Sequence, residues 1–255
     1  MRRFGFIIAG LLFLLPRPSA GQEEITAVSG PGEDLDLYAV IELFKKSESI
    51  EEFEQKLNDP DEGVNNLDLN EDGEVDFIRV MEYAEGDAHV FVLQATLGED
   101  TYKDVARIMV ETTEGEEVYA EVQGDEELYG EGYVIAPSTV VVVTSFALLA
   151  VVFRPRRAIY RSPWGWRMRP PWWRPFRPVP RATYRSRTAR HRQRGASKRT
   201  QQTRARKSDN VYKTQKRRSG PGRDFSRAVT DGWIERLTVN GLFENPAFAL
   251  RPVMV

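Results

Sequence analysis

The residues whose types and spacing are best suited to chemistry lie between positions 68 and 76 of this chain. Side-chain oxygens recur there at positions 1, 3, 5 and 9 of a short loop, in Asp68, Asn70, Asp72 and Asp76. Gly73 at position 6 allows a sharp turn, and the backbone carbonyl of Glu74 at position 7 can face inward. Because alternate residues of a tightly curved loop project to its inside, these oxygens can surround one Ca²⁺ ion. The spacing predicts a calcium site formed by Asp68, Asn70, Asp72, Glu74 and Asp76.

An acidic turn without metal is the alternative, because Asp, Asn and Gly are also the residues that solvated turns prefer. Calcium is the favoured interpretation, since the loop carboxylates would repel one another without a cation. The interpretation as a glycosidase-like pair of catalytic carboxylates has much less support, because nothing distinguishes two catalytic acids among so many acidic residues.

The pattern D-x-N-x-D-G-x-x-D resembles the calcium loop shared by EF-hands, dockerin modules and integrin-type propeller repeats, over about nine to twelve residues. It differs from an EF-hand at the twelfth position, where Arg79 replaces the bidentate Glu, and a guanidinium cannot bind a cation. The resemblance therefore implies weak calcium binding, with a Kd on the order of 10⁻⁴ to 10⁻³ M. Asp59, Asp61 or Glu62 could supply the missing ligand.

Two short amphipathic helices are expected before this loop. Apolar residues at helical spacing share one face over Asp34 to Leu57, namely Leu35, Leu37, Val40, Ile41 and Phe44. Ser49-Ile50-Glu51-Glu52 has the form of a capping box that opens the second helix. Both helices need a surface to cover.

Four strands are expected after the loop. The stretches 75–81 and 89–93 alternate or run apolar and are separated by a hairpin turn at Glu85-Gly86-Asp87. A second pair, 106–111 and 117–123, surrounds Glu114-Gly115. The sequence therefore predicts an α+β domain over residues 34–137, with short helices packed on a small antiparallel sheet.

The charges of the chain are divided between two halves. Residues 1–137 contain 9 Lys and Arg against 33 Asp and Glu, whereas residues 138–255 contain 27 against 5. We call these the acidic half and the basic half. Opposite charges of this size can attract within one chain or between neighbouring chains.

The first residues are typical of a signal peptide over residues 1–21, followed by a linker over 22–33. Arg2 and Arg3 precede an uncharged apolar run, and the small residues Ser19, Ala20 and Gly21 follow it. Export to the periplasm or cell envelope is the expected localisation. The absence of Cys excludes disulfides and thiolate chemistry, and the presence of only two His argues against His-dependent hydrolase sites and transition-metal sites.

A second apolar stretch follows the acidic domain. Residues 132–153 carry no charge and precede Arg154, Arg156 and Arg157, which is typical of a transmembrane helix with a basic cytoplasmic flank. The β-branched residues of 138–153, together with Pro137, fit two apolar strands as well. Both interpretations stay open on the sequence.

The rest of the basic half divides into three segments. Residues 154–181 are rich in Trp, Arg and Pro and are expected to be extended, with aromatic and cationic side chains suited to a bilayer interface or to anionic polymers. Residues 182–230 are polar and basic and are expected to be a disordered tail, which could bind anionic lipid or other polyanions. Nucleic acid is an improbable partner for an exported protein. Residues 231–255 form a short C-terminal segment without an assigned role.

Two functional hypotheses follow from the sequence. The first is an exported, non-enzymatic cell-envelope protein that binds one calcium ion for a structural or adhesive purpose. The second is a single-pass membrane protein that links an outside sensor domain to a cytoplasmic basic tail. An enzyme acting on envelope polymers is the weakest reading, since no nucleophile can be identified. The arrangement as a whole is loosely similar to exported bacterial proteins with an EF-hand-like loop, a resemblance that implies no activity.

Overall fold

The computed structural model describes residues 30–112, 117–137, 141–142, 147–192, 196–199 and 205–218. The predicted signal peptide, most of the linker, the turn at Glu114-Gly115 and the C-terminal segment lie outside the described residues. A 3₁₀ turn at Pro31–Asp34 precedes the helices, which are α1 (Leu37–Lys46), α2 (Ile50–Leu57), α3 (Glu126–Tyr129), α4 (Ala147–Val152), α5 (Arg181–Arg192) and α6 (Arg206–Arg218).

An antiparallel sheet forms the centre of the molecule. Its strands are β1 (Phe77–Glu85), β2 (Ala88–Gly98), β3 (Thr101–Thr112), β4 (Glu117–Gly124), β5 (Val134–Pro137), β6 (Val141–Val142) and β7 (Ala196–Arg199). They lie in the order β1-β2-β3-β4-β5-β7, with β6 also paired to β4. Glu85 pairs with Ala88 across the predicted hairpin turn, in which Gly86 has a φ of +61°. The prediction of short helices on an antiparallel sheet is confirmed.

Helices cover both faces of this sheet. On strand β2, Phe91 and Leu93 join the main core with α1, α2 and α4, whereas Val90 and Val92 pack with Tyr212 of α6 on the opposite face. A strand that is buried on both sides has no solvent-facing positions, so it is apolar almost without interruption. This accounts for the sequence Val90-Phe91-Val92-Leu93.

Both of the first two helices begin at a capping side chain, and α1 begins at Leu37, later than expected, so that Leu35 lies outside it. The carboxylate of Asp36 accepts the N–H groups of Tyr38 and Ala39 at the start of α1. Ser49 accepts the N–H of Glu52 at the start of α2, and the side chain of Glu52 accepts the N–H of Glu48. The predicted cap at Ser49 is confirmed, and each cap satisfies backbone donors that the helix itself cannot pair.

The apolar stretch over residues 132–153 contains two short strands and one short helix in its described parts. Strands β5 and β6 pair with β4, and Leu148, Leu149 and Val152 of α4 are buried in the main core. None of the helices in the described ranges is long and apolar enough to cross a membrane.

The Trp, Arg and Pro segment follows the free edge of β1. Ser162 donates its N–H to the carbonyl of Val80, and Glu82 donates its N–H to the carbonyl of Tyr160. Farther along, Val75 donates its N–H to the carbonyl of Phe176. The segment therefore runs beside β1 and covers an edge whose backbone groups would otherwise be unpaired.

Two buried carboxylates of the acidic half bond to this segment. Glu82, on β1, is fully buried and accepts hydrogen bonds from Arg157, from the N–H of Tyr160 and, at 2.8 Å, from Nδ1 of His89. Glu54, on α2, is 1% exposed and accepts from the hydroxyls of Tyr160 and Ser162. Because buried polar and charged groups need hydrogen-bond partners, these bonds fix the segment at defined positions.

Helix α5 packs against α1 through one buried aromatic side chain. The hydroxyl of Tyr184 accepts the N–H of Asp36 at 2.7 Å and donates to the carbonyl of Val64 at 2.6 Å. At the exposed side of this contact, Arg181 pairs with Asp34 and Arg185 pairs with Glu33. The basic helix is thus attached to acidic residues of the N-terminal turn.

Helix α6 lies on the opposite face of the sheet. Val211 and Tyr212 pack on Val90, Val92 and Met109. Asp209 pairs with Arg107, and Ser208 donates its N–H to Glu111. The prediction of a disordered tail over 182–230 is therefore not confirmed, because its described parts form most of α5, a short strand and α6. These helices bury few apolar residues of their own and depend on the acidic half for partners.

Candidate metal centre

The loop from Asp68 to Asp76, which we call the acidic loop, connects α2 to β1 and is closed at its base. Asp76 donates its N–H to the carbonyl of Leu67 at 2.7 Å, and Asn65 donates from Nδ2 to the carbonyl of Asp76. Leu67 and Val75 are buried on either side. These contacts hold both ends of the loop while its tip stays in solvent.

The loop is wound around the carboxylate of Asp68. One oxygen of this carboxylate accepts the N–H of Asp72 at 3.1 Å, and the other accepts the N–H of Gly73 at 3.0 Å. Gly73 has a φ of +85°, and Glu71 has a φ of +59°. The glycine at position 6 therefore has the conformation that the sequence assigned to it, since φ values in this range favour glycine.

Asn70 and Asp72 lie next to each other inside the loop. Asn70 donates from Nδ2 to the carboxylate of Asp72 at 2.9 Å and to the carbonyl of Leu97 at 3.2 Å. The other carboxylate oxygen of Asp72 accepts the N–H of Glu74, whose own side chain is exposed. The hydrogen bond from Asn70 to the carbonyl of Leu97 attaches the loop to the end of β2.

Asp76 is the buried member of the set. It is 5% exposed, and its carboxylate accepts the N–H of Leu69 at 2.6 Å. Burial raises the pKa of Asp76 to about 8, and the nearby charges of Asp68 and Asp72 contribute to the rise. Burial also raises the pKa of Asp68, again with a contribution from Asp72. A cation among these carboxylates would relieve this repulsion.

The five predicted ligands thus lie in one loop, but their oxygens are engaged mainly with backbone N–H groups. Among the described residues, no group of three or more His or acidic side chains is close enough to hold a metal ion. The chemistry of the donor set, carboxylate, amide and carbonyl oxygen, fits a hard cation such as Ca²⁺. Calcium binding therefore stays a prediction.

Arg79 belongs to β1, and its side chain contacts residues of the neighbouring strands. Its guanidinium carbon lies 3.3 Å from the centre of the Tyr102 ring, and its Nε donates to Gln94 at 2.9 Å. The side chain is thus occupied at the position where an EF-hand has its bidentate carboxylate. Asp59, one of the acids considered as a replacement ligand, accepts the N–H of Asp61 within the turn after α2.

Sequence reasoning missed one charged residue near the loop, which is Arg169. Its guanidinium carbon lies 4.9 Å from the Trp173 ring centre and 5.4 Å from that of Phe77. Burial lowers the pKa of Arg169, while attraction to Asp76, Asp72 and Glu74 opposes that change. Arg169 therefore supplies a positive charge beside the acidic loop. The alternation of Arg and Trp in the segment 164–174 is the signal that could have indicated it.

No protein-family model, curated protein or solved structure matches this chain.

Proposed function

We propose that this chain is an exported, non-enzymatic protein of the cell envelope, in which the acidic loop binds one calcium ion for a structural or adhesive purpose. The observation that carries the proposal is the winding of the loop around Asp68, whose carboxylate accepts two successive backbone N–H groups, those of Asp72 and Gly73. Export rests on the signal-peptide pattern. The non-enzymatic role rests on the absence of Cys and the small number of His.

Calcium would act here by neutralising carboxylates that now repel one another. Asp68, Asn70, Asp72 and Asp76 would bind through side-chain oxygens and Glu74 through its carbonyl. A bound ion would lower the pKa of Asp76 and connect the loop more firmly to β1 and β2. The positive charge of Arg169 would repel a calcium ion bound in the loop, which agrees with a weak affinity for calcium.

The contacts between the two halves support this hypothesis over the single-pass membrane alternative. That alternative requires the acidic and basic halves to lie on opposite sides of a bilayer. In the described residues, α5 bonds to Asp36 and Val64, α6 bonds to Arg107 and Glu111, and β7 pairs with β5. These contacts favour an arrangement in which both halves lie in one compartment.

Thermal unfolding of the mature chain from Gln22 onward tests the calcium proposal. The Tm is measured in EDTA and then in calcium up to a few millimolar, with magnesium as the control cation. A ligand that binds only the native state stabilises it by about 1.4 kcal/mol at ten times its Kd. For a chain of this size we expect Tm to rise by roughly 3 to 6 °C.

A matched pair of variants assigns the effect to the loop. Asp72→Asn removes one charge at a ligand position, and Glu71→Gln removes one charge at the adjacent exposed position. We expect the calcium-induced rise in Tm to be lost in Asp72→Asn and kept in Glu71→Gln. An equal response in both variants, or an equal response to magnesium, would contradict the proposal and favour a metal-free acidic turn.

A further inference from the structure

A tight turn at Gly165–Met168 projects apolar side chains into solvent. Gly165 and Met168 exchange two backbone hydrogen bonds, of 3.0 and 3.3 Å, which place Trp166 and Arg167 at the tip. Trp166 is 40% exposed, Met168 is 55% exposed and Trp172, a few residues on, is 38% exposed. We call Trp166, Met168 and Trp172 the aromatic patch. Of the large apolar side chains in the described ranges, most of the exposed ones belong to this patch.

The two tryptophans of the aromatic patch are held in place by contacts with neighbouring side chains. The Phe77 ring centre lies 6.2 Å from that of Trp172, and Arg169 lies 5.4 Å from the ring centre of Trp166. Gly165 allows the turn to approach the sheet, since a Cβ atom there would lie 2.9 Å from the hydroxyl of Tyr102. The exposed rings are therefore held in place before any partner arrives, which lowers the entropy cost of binding.

Four arginines lie between or close to the patch residues in the sequence, at positions 167, 169, 174 and 177. Arg167 is three-quarters exposed and pairs with Glu99, and Arg174 and Arg177 are exposed in the residues that follow Trp173 along the chain. Arg169 lies against Trp166 and is attracted to Asp76 and Asp72, so its charge offsets those loop carboxylates next to the patch. The surface thus combines exposed apolar tips with positive charge.

We propose that the aromatic patch is a docking surface for a lipid membrane with anionic headgroups. Tryptophan favours the boundary between headgroups and hydrocarbon, where its apolar ring and its indole N–H are both satisfied. Arginine beside it attracts anionic lipids. Met168 favours a membrane over a soluble polyanion, because an apolar side chain that is more than half exposed gains only from an apolar partner. The inference names a partner for the proposed envelope protein and does not depend on calcium.

Sedimentation with lipid vesicles tests this inference, using the mature chain in EDTA. Vesicles of phosphatidylglycerol and phosphatidylcholine provide the anionic surface, and pure phosphatidylcholine vesicles provide the neutral one. We expect binding to the anionic vesicles with a blue shift of tryptophan fluorescence, and binding weaker by roughly tenfold or more to the neutral vesicles. Because EDTA removes calcium, vesicle binding is measured independently of the calcium proposal, which is tested by the change in Tm.

Two sets of substitutions locate the surface. The double variant Trp166→Ser and Met168→Ser removes the two most exposed side chains of the patch and should weaken vesicle binding by roughly tenfold or more, while the protein still unfolds in one cooperative transition in EDTA. Ile159→Ser is the control, because Ile159 is 42% exposed in the same segment but lies near the opposite end of β1. We expect it to bind as the unmodified chain does.

Three results would overturn the inference. The first is the absence of binding to anionic vesicles, and the second is equal binding by the double variant and the unmodified chain. The third is binding to soluble dextran sulfate without binding to vesicles, which would assign the arginines to a polyanionic polymer. A rise in Tm with calcium alongside any of these results would leave the acidic loop as a metal site and remove only the membrane partner.

Discussion

Residues 34–137 bury apolar side chains at regular spacing, whereas residues 154–218 are attached to them through a few polar and aromatic anchors. In the acidic half, the helices and strands share one continuous core. In the basic half, Arg157, Ser162 and Tyr184 each bond to a buried polar group of the acidic half. A segment too polar to bury a core of its own can thus be ordered by a surface that already holds buried polar groups able to make further hydrogen bonds.

The opposite charges of the two halves thus meet within one chain in the described residues. The buried anchors, more than the exposed ion pairs, should supply the stability of this arrangement, because exposed pairs contribute between 0 and about 1 kcal/mol. If that view is right, removing a buried anchor destabilises the whole molecule. Removing an exposed pair should change little.

The largest effect is expected at Arg157, because its guanidinium is paired with the fully buried Glu82. Although burial raises the pKa of Glu82, hydrogen bonds from His89 and Arg157 lower it below its usual value, so the carboxylate is charged. Arg157→Met leaves that charge without its cation and should lower the free energy of unfolding by about 3 to 5 kcal/mol. Urea unfolding at neutral pH measures the loss.

Arg154→Met is the matched control, since Arg154 is exposed and lies three residues earlier in the same segment. We expect it to change the free energy of unfolding by less than about 0.5 kcal/mol. Equal stability of the two variants would mean that the basic half is not anchored through Glu82.

The next effect is a dependence on pH at Glu54. Burial raises the pKa of Glu54 from its ordinary value of 4.5 to about 7, even though Val80, Ser162 and Tyr160 donate hydrogen bonds to it. The folded chain therefore holds this proton more tightly than the unfolded chain. The stability that Glu54 contributes is fully present below pH 4.5 and is lost as pH rises through about 7, by about 3 kcal/mol in total.

Comparison with Glu54→Gln isolates this contribution from all other titrating groups. The amide cannot ionise, so the difference in unfolding free energy between the two proteins should change across this pH range and level off above it. A difference that is constant from pH 4 to pH 8 would show that Glu54 does not hold a proton in the folded state.

The sequence could predict the elements of the acidic half because their signals are local. The cap at Ser49, the apolar spacing of α1 and the turn at Glu85-Gly86-Asp87 each lie within a few residues of what they determine. The spacing of the acidic loop likewise predicted its turn at Gly73. Whether its oxygens bind calcium depends on side-chain orientation, which spacing alone does not determine.

The structure of the basic half could not be predicted because its partners are distant. Arg157 bonds to a residue 75 positions earlier, and Tyr184 bonds to one 120 positions earlier. One usable signal was present, since alternation along β1 puts Glu82 on the same face as Ile78 and Val80 and so indicates a buried carboxylate that needs a partner. Nothing in the sequence identifies which of the many arginines is the partner of Glu82.

The smallest of these effects is expected at Tyr184, whose hydroxyl joins α5 to the start of α1. Tyr184→Phe keeps the ring, which is 2% exposed, but leaves the N–H of Asp36 and the carbonyl of Val64 without this partner. We expect a loss of about 1 to 2 kcal/mol in the free energy of unfolding, the cost of buried polar groups left unpaired. The neighbouring Arg185→Ala, which removes only the half-exposed pair with Glu33, should cost less than about 1 kcal/mol. If Arg185→Ala were the more damaging of the two, exposed ion pairs rather than buried hydrogen bonds would hold the basic half in place.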